Sequence, residues 1–357
     1  MKGVILAGGT GSRLRPITHT GPKQLVPIAN KPVLEFAIDD LVEAGISEIG
    51  IVLGNKGRDA IQEYFGDGSE FGVEITYIVQ GEPLGLAHAV GCARDFVGDD
   101  SFVVYLGDDL MREGIADLVD DFDPEKFAAG IGLQEVEEPS RYGIVDVDEH
   151  GDVVELVEKP EDPPNNLALI GVYVFTPAVF EQIEQLDKSW RGEYEITEAI
   201  QGLLDDGRRI QSHVVHGWWK DTGKPDDVLH ANRLVLDDIE HSIEGTIEDK
   251  ESIRGRVHLG SGSVIEEGAV IRGPVSIGED TRITSETYLG PYTSIGDECL
   301  IDGAQIESTV VIGKAEISAE RKIVDSLIGR EVTIVTNEQR KPDGDRFVIG
   351  ESSSLEL

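Results

Sequence analysis

Short apolar runs alternate with amphipathic stretches through the first part of the chain: Val4 to Ala7, Leu34 to Ala44, Ile49 to Leu53, Ala60 to Phe65, Ile75 to Val79, Leu86 to Phe96 and Phe102 to Leu106. The shortest runs have the length of buried strands and the longer ones carry helical spacing. The rhythm is βαβ, and the sheet it predicts is largely parallel. Asn30 ahead of Lys31-Pro32 and Gly45 after Ala44 suit the two ends of one of these helices. In such a sheet ligands bind beyond the carboxyl ends of the strands, so chemistry is expected in the residues that follow each apolar run.

A different period governs the last third. Ile253, Leu259, Ile265, Ile271, Ile277, Ile283, Leu289, Ile295 and Ile301 recur every six residues, which fits neither a helix nor a simple strand. Gly260, Gly278, Gly290 and Gly296 each follow such a position, giving the hexapeptide signature of a left-handed parallel β-helix. The register slips by one residue to Ile306 and Ile312, and Ile323, Ile328 and Ile334 continue it more weakly. With three hexapeptides to a coil, about four to five coils are expected. Asp226 to Ile239 reads as a linking helix. The predicted fold is therefore α/β: a Rossmann-like, mostly parallel-sheet domain over 1–240, a left-handed β-helix over 241–340, and a cap or tail over 341–357.

Charge narrows the partners. Sixty-nine acidic residues against 31 basic ones give a formal net charge of -38, which repels polynucleotides and anionic membranes. The acids recur in short clusters, such as Asp99-Asp100 and Asp237-Asp238, and so describe an acidic skin suited to a high-salt cytoplasm. At molar salt the Debye length falls to about 3 Å, and that skin would barely repel an anionic nucleotide. No apolar run reaches the roughly 20 residues of a membrane helix, and Met1 to Gly9 is too short for a signal peptide. Cys92 and Cys299 fit neither a disulfide framework nor a metal knuckle and read as packing residues.

Candidate chemistry begins directly after the first strand. Gly8-Gly9-Thr10-Gly11-Ser12-Arg13-Leu14-Arg15-Pro16 is a glycine-rich loop whose backbone N–H groups can approach an anion closely. It is no Walker A motif, lacking Gly-Lys-Ser/Thr at the required spacing, and no dinucleotide fingerprint, since Leu14 takes the third glycine position. Arg13 and Lys23 add cations for a triphosphate, one a planar fork and one a point charge. Asp108, after the strand ending at Leu106, is placed to hold Mg²⁺, a hard ion that takes one or two carboxylates together with phosphate oxygens.

LAGGTGSRLRPIT followed by GPKQLVPIANKP resembles the N-terminal signature of the sugar-1-phosphate nucleotidyltransferase superfamily. Gln80-Gly81-Glu82-Pro83-Leu84-Gly85 is similar to the base-reading loop of its glucose-1-phosphate thymidylyltransferase branch. The resemblance implies nucleotide binding by Leu6, Ala7, Gly8, Gly9, Gly11, Gln80, Pro83 and Gly85, and a second metal ligand at Asp221 in the run from Trp218 to Gly223. An amide such as Gln80 offers a donor and an acceptor to the N–H and C=O edge of thymine or uracil. Family members commonly carry Asn where Asp109 stands, so Asp109 is either a third ligand or a solvated neighbour. Tyr142, Gly143, Glu158, Lys159, Tyr173 and Arg191 match segments that hold the hexose 1-phosphate.

The implied reaction is Mg²⁺-dependent transfer from dTTP or UTP to a hexose 1-phosphate, with Arg13, Lys23 and Lys159 as catalytic cations and the β-helix mediating homo-oligomer formation. Two rivals are a non-catalytic scaffold subunit and a β-helix acetyltransferase. Retained Arg13, Lys23, Asp108, Lys159 and Asp221 argue against the first, and His258 alone offers the second a base within the coils.

Overall fold

The computed structural model describes residues 1–148, 151–336 and 349–356. Its contacts divide into two compact units that interleave along the chain: Met1–Thr10 with Val33–Asp221, and Gly11–Pro32 with Thr222–Leu357. Of the expected cap or tail over 341–357, only 349–356 falls within the described residues. No helix among the described residues is long and apolar enough to cross a membrane.

The chain order is β1 (Lys2–Ala7), the two-residue strands β2 (Pro27–Ile28) and β3 (Lys31–Pro32), α1 (Val33–Glu43), β4 (Glu48–Gly54), α2 (Arg58–Phe65), β5 (Glu74–Gly81), α3 (Leu86–Cys92), α4 (Arg94–Val97) and β6 (Phe102–Leu106). Then come β7 (Asp109–Met111), α5 (Ala116–Asp120), β8 (Ala129–Glu135), β9 (Gly143–Val147), β10 (Val153–Glu158), β11 (Leu167–Phe175), α6 (Val179–Ile183), α7 (Ile196–Asp205), β12 (Ile210–Val214), β13 (Trp219–Asp221) and α8 (Pro225–Asp237).

Strands β5, β4, β1 and β6 pair in parallel in that spatial order, the Rossmann-like half of the first unit. Helical periodicity serves the crossovers, as α1 buries Val33, Leu34, Ala37, Ile38 and Leu41. Beyond β6 the sheet turns antiparallel through β11, β8, β9 and β10, and β12 joins β8 in parallel. The run from Leu86 to Phe96, which predicts one helix, is broken at Ala93. There the Ala93 N–H bonds Val90 O three residues back, at 2.9 Å, and the tightened turn redirects the chain into α4.

In the second unit the hexapeptides form three parallel sheets of six, six and five short strands, consistent with a left-handed β-helix. Leu259, Ile277, Ile295 and Val311 make one inward ladder, each fully buried and paired in register with the next. Two expectations change. The first paired strands are Ser242–Ile243 and Thr246–Ile247, ahead of Ile253, so the stack has five to six coils. The slip ends on Val311, while Ile312 is only half-buried. From Ile301 the inward positions run to Ile306 and Val311, two shortened steps in succession.

Coils are also joined by a column of hydroxyls. Thr281 N–H donates to Ser263 Oγ at 2.7 Å, and Cys299 N–H donates to Thr281 Oγ1 at 2.9 Å. Cys299 Sγ continues the column by accepting the Ala315 N–H at 3.5 Å. This cysteine packs as expected and also occupies a hydrogen-bonding position that serine or threonine fills in the coils before it.

Candidate active site

The carboxyl ends of β1, β4 and β5 approach closely, with the Gln80 side chain against Gly8. A Cβ at Gly54 would stand 2.6 Å from Gly8 O, and one at Gly8 would stand 2.5 Å from Gln80 Oε1. Leu6 and Ala7 are buried at the end of β1, and Gly9 is exposed beyond it. The Gln80 amide donates to Gly85 O at 3.2 Å and lies 3.3 Å from His88 Nδ1. Gly85 takes φ 113, and a Cβ there would collide with Tyr194 O, so no other residue fits. Tyr194 also fixes the loop on either side, its N–H donating to Leu84 O at 2.8 Å and its carbonyl accepting from Ala87 at 3.1 Å. Pro83 is exposed in the same loop. Gln80 and the backbone of Gly8 and Gly85 thus share one corner at the strand ends, where ligands bind in sheets of this kind.

A second corner is acidic. Asp108 lies in the turn after β6 and Asp109 opens β7, which pairs with β13 so that Asp109 stands opposite Asp221. Carboxylate oxygens of Asp108, Asp109 and Asp221 all lie within 4.8 Å of one another. Three convergent hard oxygen donors suit Mg²⁺ and offer nothing to a softer metal. Asp109 is 2% exposed and so is not a solvated neighbour. The Trp219 indole N–H donates to its Oδ2 at 2.8 Å, and a side chain at Gly171 would run into that same oxygen.

The third group surrounds Glu158 at the end of β10. Lys159 Nζ lies 3.1 Å and Arg191 Nη1 3.2 Å from the same Glu158 Oε1, while the Thr197 hydroxyl donates to Oε2 at 3.2 Å. Arg191 is also held by Glu195 at 3.3 Å and by Glu193 at 3.2 Å. Carboxylates outnumber the cations, and burial, then the charges of Glu195 and Glu158, raise the Glu198 carboxyl from its ordinary value. Lys159 takes φ 42, a left-handed conformation that costs a non-glycine residue and that clusters at functional sites. Gly143 is buried against Thr197, where a Cβ would stand 2.7 Å from Thr197 Cγ2.

Two aromatics link the second and third groups. Tyr142 meets Trp219 edge-on at 5.5 Å, and Trp219 holds Asp109. Tyr173 is 3% exposed and stacks on Phe175 at 5.7 Å, so its ring belongs to the core. Burial first, then the charges of Asp109 and Glu158, push its hydroxyl far above the ordinary tyrosine value. Of the remaining candidates, Arg13 is exposed in the turn Ser12–Leu14, and Arg13, Lys23 and Gly11 belong to the second compact unit. Gly11 takes φ 62, its carbonyl accepts the Thr18 hydroxyl at 2.6 Å, and a Cβ there would press on Thr18 and on Lys23 at 3.1 Å. The sequence motifs point to Arg191 but to neither Glu195 nor Thr197, four and six residues further on. The available signal was an acidic residue, Glu195, immediately ahead of an apolar helix face; the structure leaves it 4% exposed.

Residues 2–238 match the nucleotidyl transferase family model. The chain is 61% identical over 357 residues to the low-salt glycan biosynthesis nucleotidyltransferase Agl11 of Haloferax volcanii, with 100% of each chain covered. It is 47% identical over 358 residues to a glucose-1-phosphate thymidylyltransferase of Streptomyces antibioticus, covering 100% of this chain and 99% of that one. A solved UDP-glucose pyrophosphorylase, complexed with UDP-glucose, matches with a TM-score of 0.60 at 28% identity, over 67% of this chain and 99% of its own. The family model spans the α/β half, and the two sequence relatives continue through the repeats. The chain therefore belongs to the nucleotidyl transferase family and is an enzyme of that kind, in the long form with C-terminal hexapeptide repeats.

Proposed function

We propose that the enzyme transfers a thymidylyl group from dTTP to glucose 1-phosphate, giving dTDP-glucose and pyrophosphate. The observation that carries this reading is the shared counter-ion at Glu158. One carboxylate oxygen there holds both Lys159 and Arg191, beside a separate cluster of three aspartates. A sugar phosphate suits such a site, because its phosphate can take over the two cations while its hydroxyls donate to the released Glu158.

An oxygen of the sugar phosphate attacks the α-phosphorus in line with the departing pyrophosphate; one P–O bond forms as the bond to the β-phosphate oxygen breaks. A phosphate monoester is already anionic at neutral pH, so no side-chain nucleophile is needed and catalysis rests on positioning and charge. Lys159 and Arg191 hold the attacking phosphate, Arg13 the pyrophosphate and Lys23 the nucleotide phosphates. Gln80 and Gly85 read the pyrimidine edge, with Leu6, Ala7, Gly8, Gly9, Gly11 and Pro83 forming the rest of the nucleotide site. Gly143 and Tyr142 border the hexose, and Tyr173 supports it from the core. Mg²⁺ held by Asp108 and Asp221, with Asp109 beside them, would offset the repulsion between the two anionic substrates.

A uridylyltransferase is the second reading, favoured by the same Gln80 amide, which meets uracil as well as thymine, and by the likeness to a UDP-glucose pyrophosphorylase. The ratio of kcat/KM for dTTP and UTP decides between them, and a higher value with UTP would replace the first reading by the second. The β-helix in this account mediates self-association, and a monomeric mass in sedimentation velocity would remove that role.

A further inference from the structure

We infer that the β-helix is the foundation of the loop that binds the nucleotide phosphates, with Asn232 and Asn30 as its positioning residues. What the loop binds rests on the function proposed above; how it is held does not. The segment Gly11–Pro32 carries Arg13 and Lys23 and belongs to the same compact unit as the repeats.

Near its end Ala29 and Asn30 take φ 49 and φ 70, the left-handed pair of the two-residue turn that joins β2 to β3. Side chains of the second unit hold this turn in place. Asn30 Nδ2 donates to Ser276 Oγ at 3.0 Å and to Ile295 O at 2.8 Å, and Ala29 N–H donates to Asn232 Oδ1 at 2.8 Å. Asn232 lies on α8 and is 1% exposed. It is locked to the coils in turn: its Oδ1 accepts from Ser294 Oγ at 2.8 Å and its Nδ2 donates to Tyr292 O at 3.2 Å.

Ser276 and Ser294 are both fully buried and stand in register on adjacent coils. A buried amide and two buried hydroxyls are costly unless each is bonded, and here they bond to one another and to the turn. Further along the segment, Ile17 Cδ1 lies 3.5 Å from where a Gly329 Cβ would stand, and the His19 ring lies 3.3 Å from Glu351 O. The segment is thus bonded to the two adjacent coils that carry Ser276 and Ile295 and lies beside Gly329. An anchored loop keeps its two cations in place at less entropic cost than a free one. The repeats therefore act in nucleotide binding as well as in assembly.

The test uses the full chain with Asn232→Ala, Ser276→Ala and Asn30→Gly, the last keeping the left-handed turn while removing its side-chain bonds. The expected result is a rise of about tenfold in KM for the nucleotide, with kcat and the KM for the sugar phosphate changing by less than about twofold. Amide exchange over residues 11–32 should rise in the same variants while the coils stay protected, a readout that needs no turnover. Thr284→Ala, which removes an exposed bond to Asp302, should change neither. Unchanged nucleotide KM and unchanged exchange in a folded Ser276→Ala or Asn30→Gly chain would overturn the inference. Raised exchange in a chain that turns over no nucleotide would support the anchoring and remove only the functional reading.

Discussion

Lys159 and Asp108 have in common a position directly beyond the apolar core of a strand, and the proposed function gives both a contact with substrate or metal. Lys159→Ala and Asp108→Ala should each lower kcat by about 10²- to 10³-fold, the usual cost of removing one electrostatic stabiliser of a transition state. Both side chains are partly exposed, so melting should stay close to wild type. Steady-state rates beside thermal melts check both, and wild-type turnover in either variant would remove its assignment. Such residues are legible in sequence because strand ends can be located from hydrophobic runs. Thr197 and Arg191 show the limit of that method. Each acts on Glu158 from 39 and 33 residues away, and no local pattern tells which carboxylate a distant hydroxyl or guanidinium will face. Asp109 shows another limit, since its burial under Trp219 and Gly171 depends on three separate strands.

The elements that store stability in the second unit are ladders, apolar inside and hydroxylic at one corner. Thr281 bonds Gly296 O at 2.8 Å and accepts the Cys299 N–H at 2.9 Å, both bonds fully buried. Thr281→Val keeps the volume and loses both bonds, so it should cost about 1–3 kcal/mol in chemical denaturation. A change near zero would mean that coil stacking does not depend on the column. The six-residue period made these coils visible in sequence, because each inward aliphatic position repeats. The second shortened step stayed hidden, since Val310, Val311 and Ile312 are three aliphatic residues in a row and only coil geometry selects the middle one. The break at Ala93 was hidden for a similar reason: nearly every residue around it is compatible with helix.

For the whole molecule the dominant quantity is the net charge of -38, which weakens the compact state through self-repulsion in dilute buffer and is screened as salt rises. Stability should therefore increase with KCl concentration into the molar range, and full stability in dilute buffer would refute an acidic skin adapted to high salt. Charge of this kind is read from composition alone, and the division into an α/β half and a repeat half from the change to a six-residue period. The interleaving of Gly11–Pro32 with the repeats could not be read that way, because it follows from contacts such as Asn30 with Ser276 across 246 residues. Substrate choice stands above every other question. Pyrophosphate release measured across a matrix of four nucleoside triphosphates and several sugar 1-phosphates should peak for dTTP with glucose 1-phosphate, whereas product formed only from GTP and mannose 1-phosphate would contradict the account.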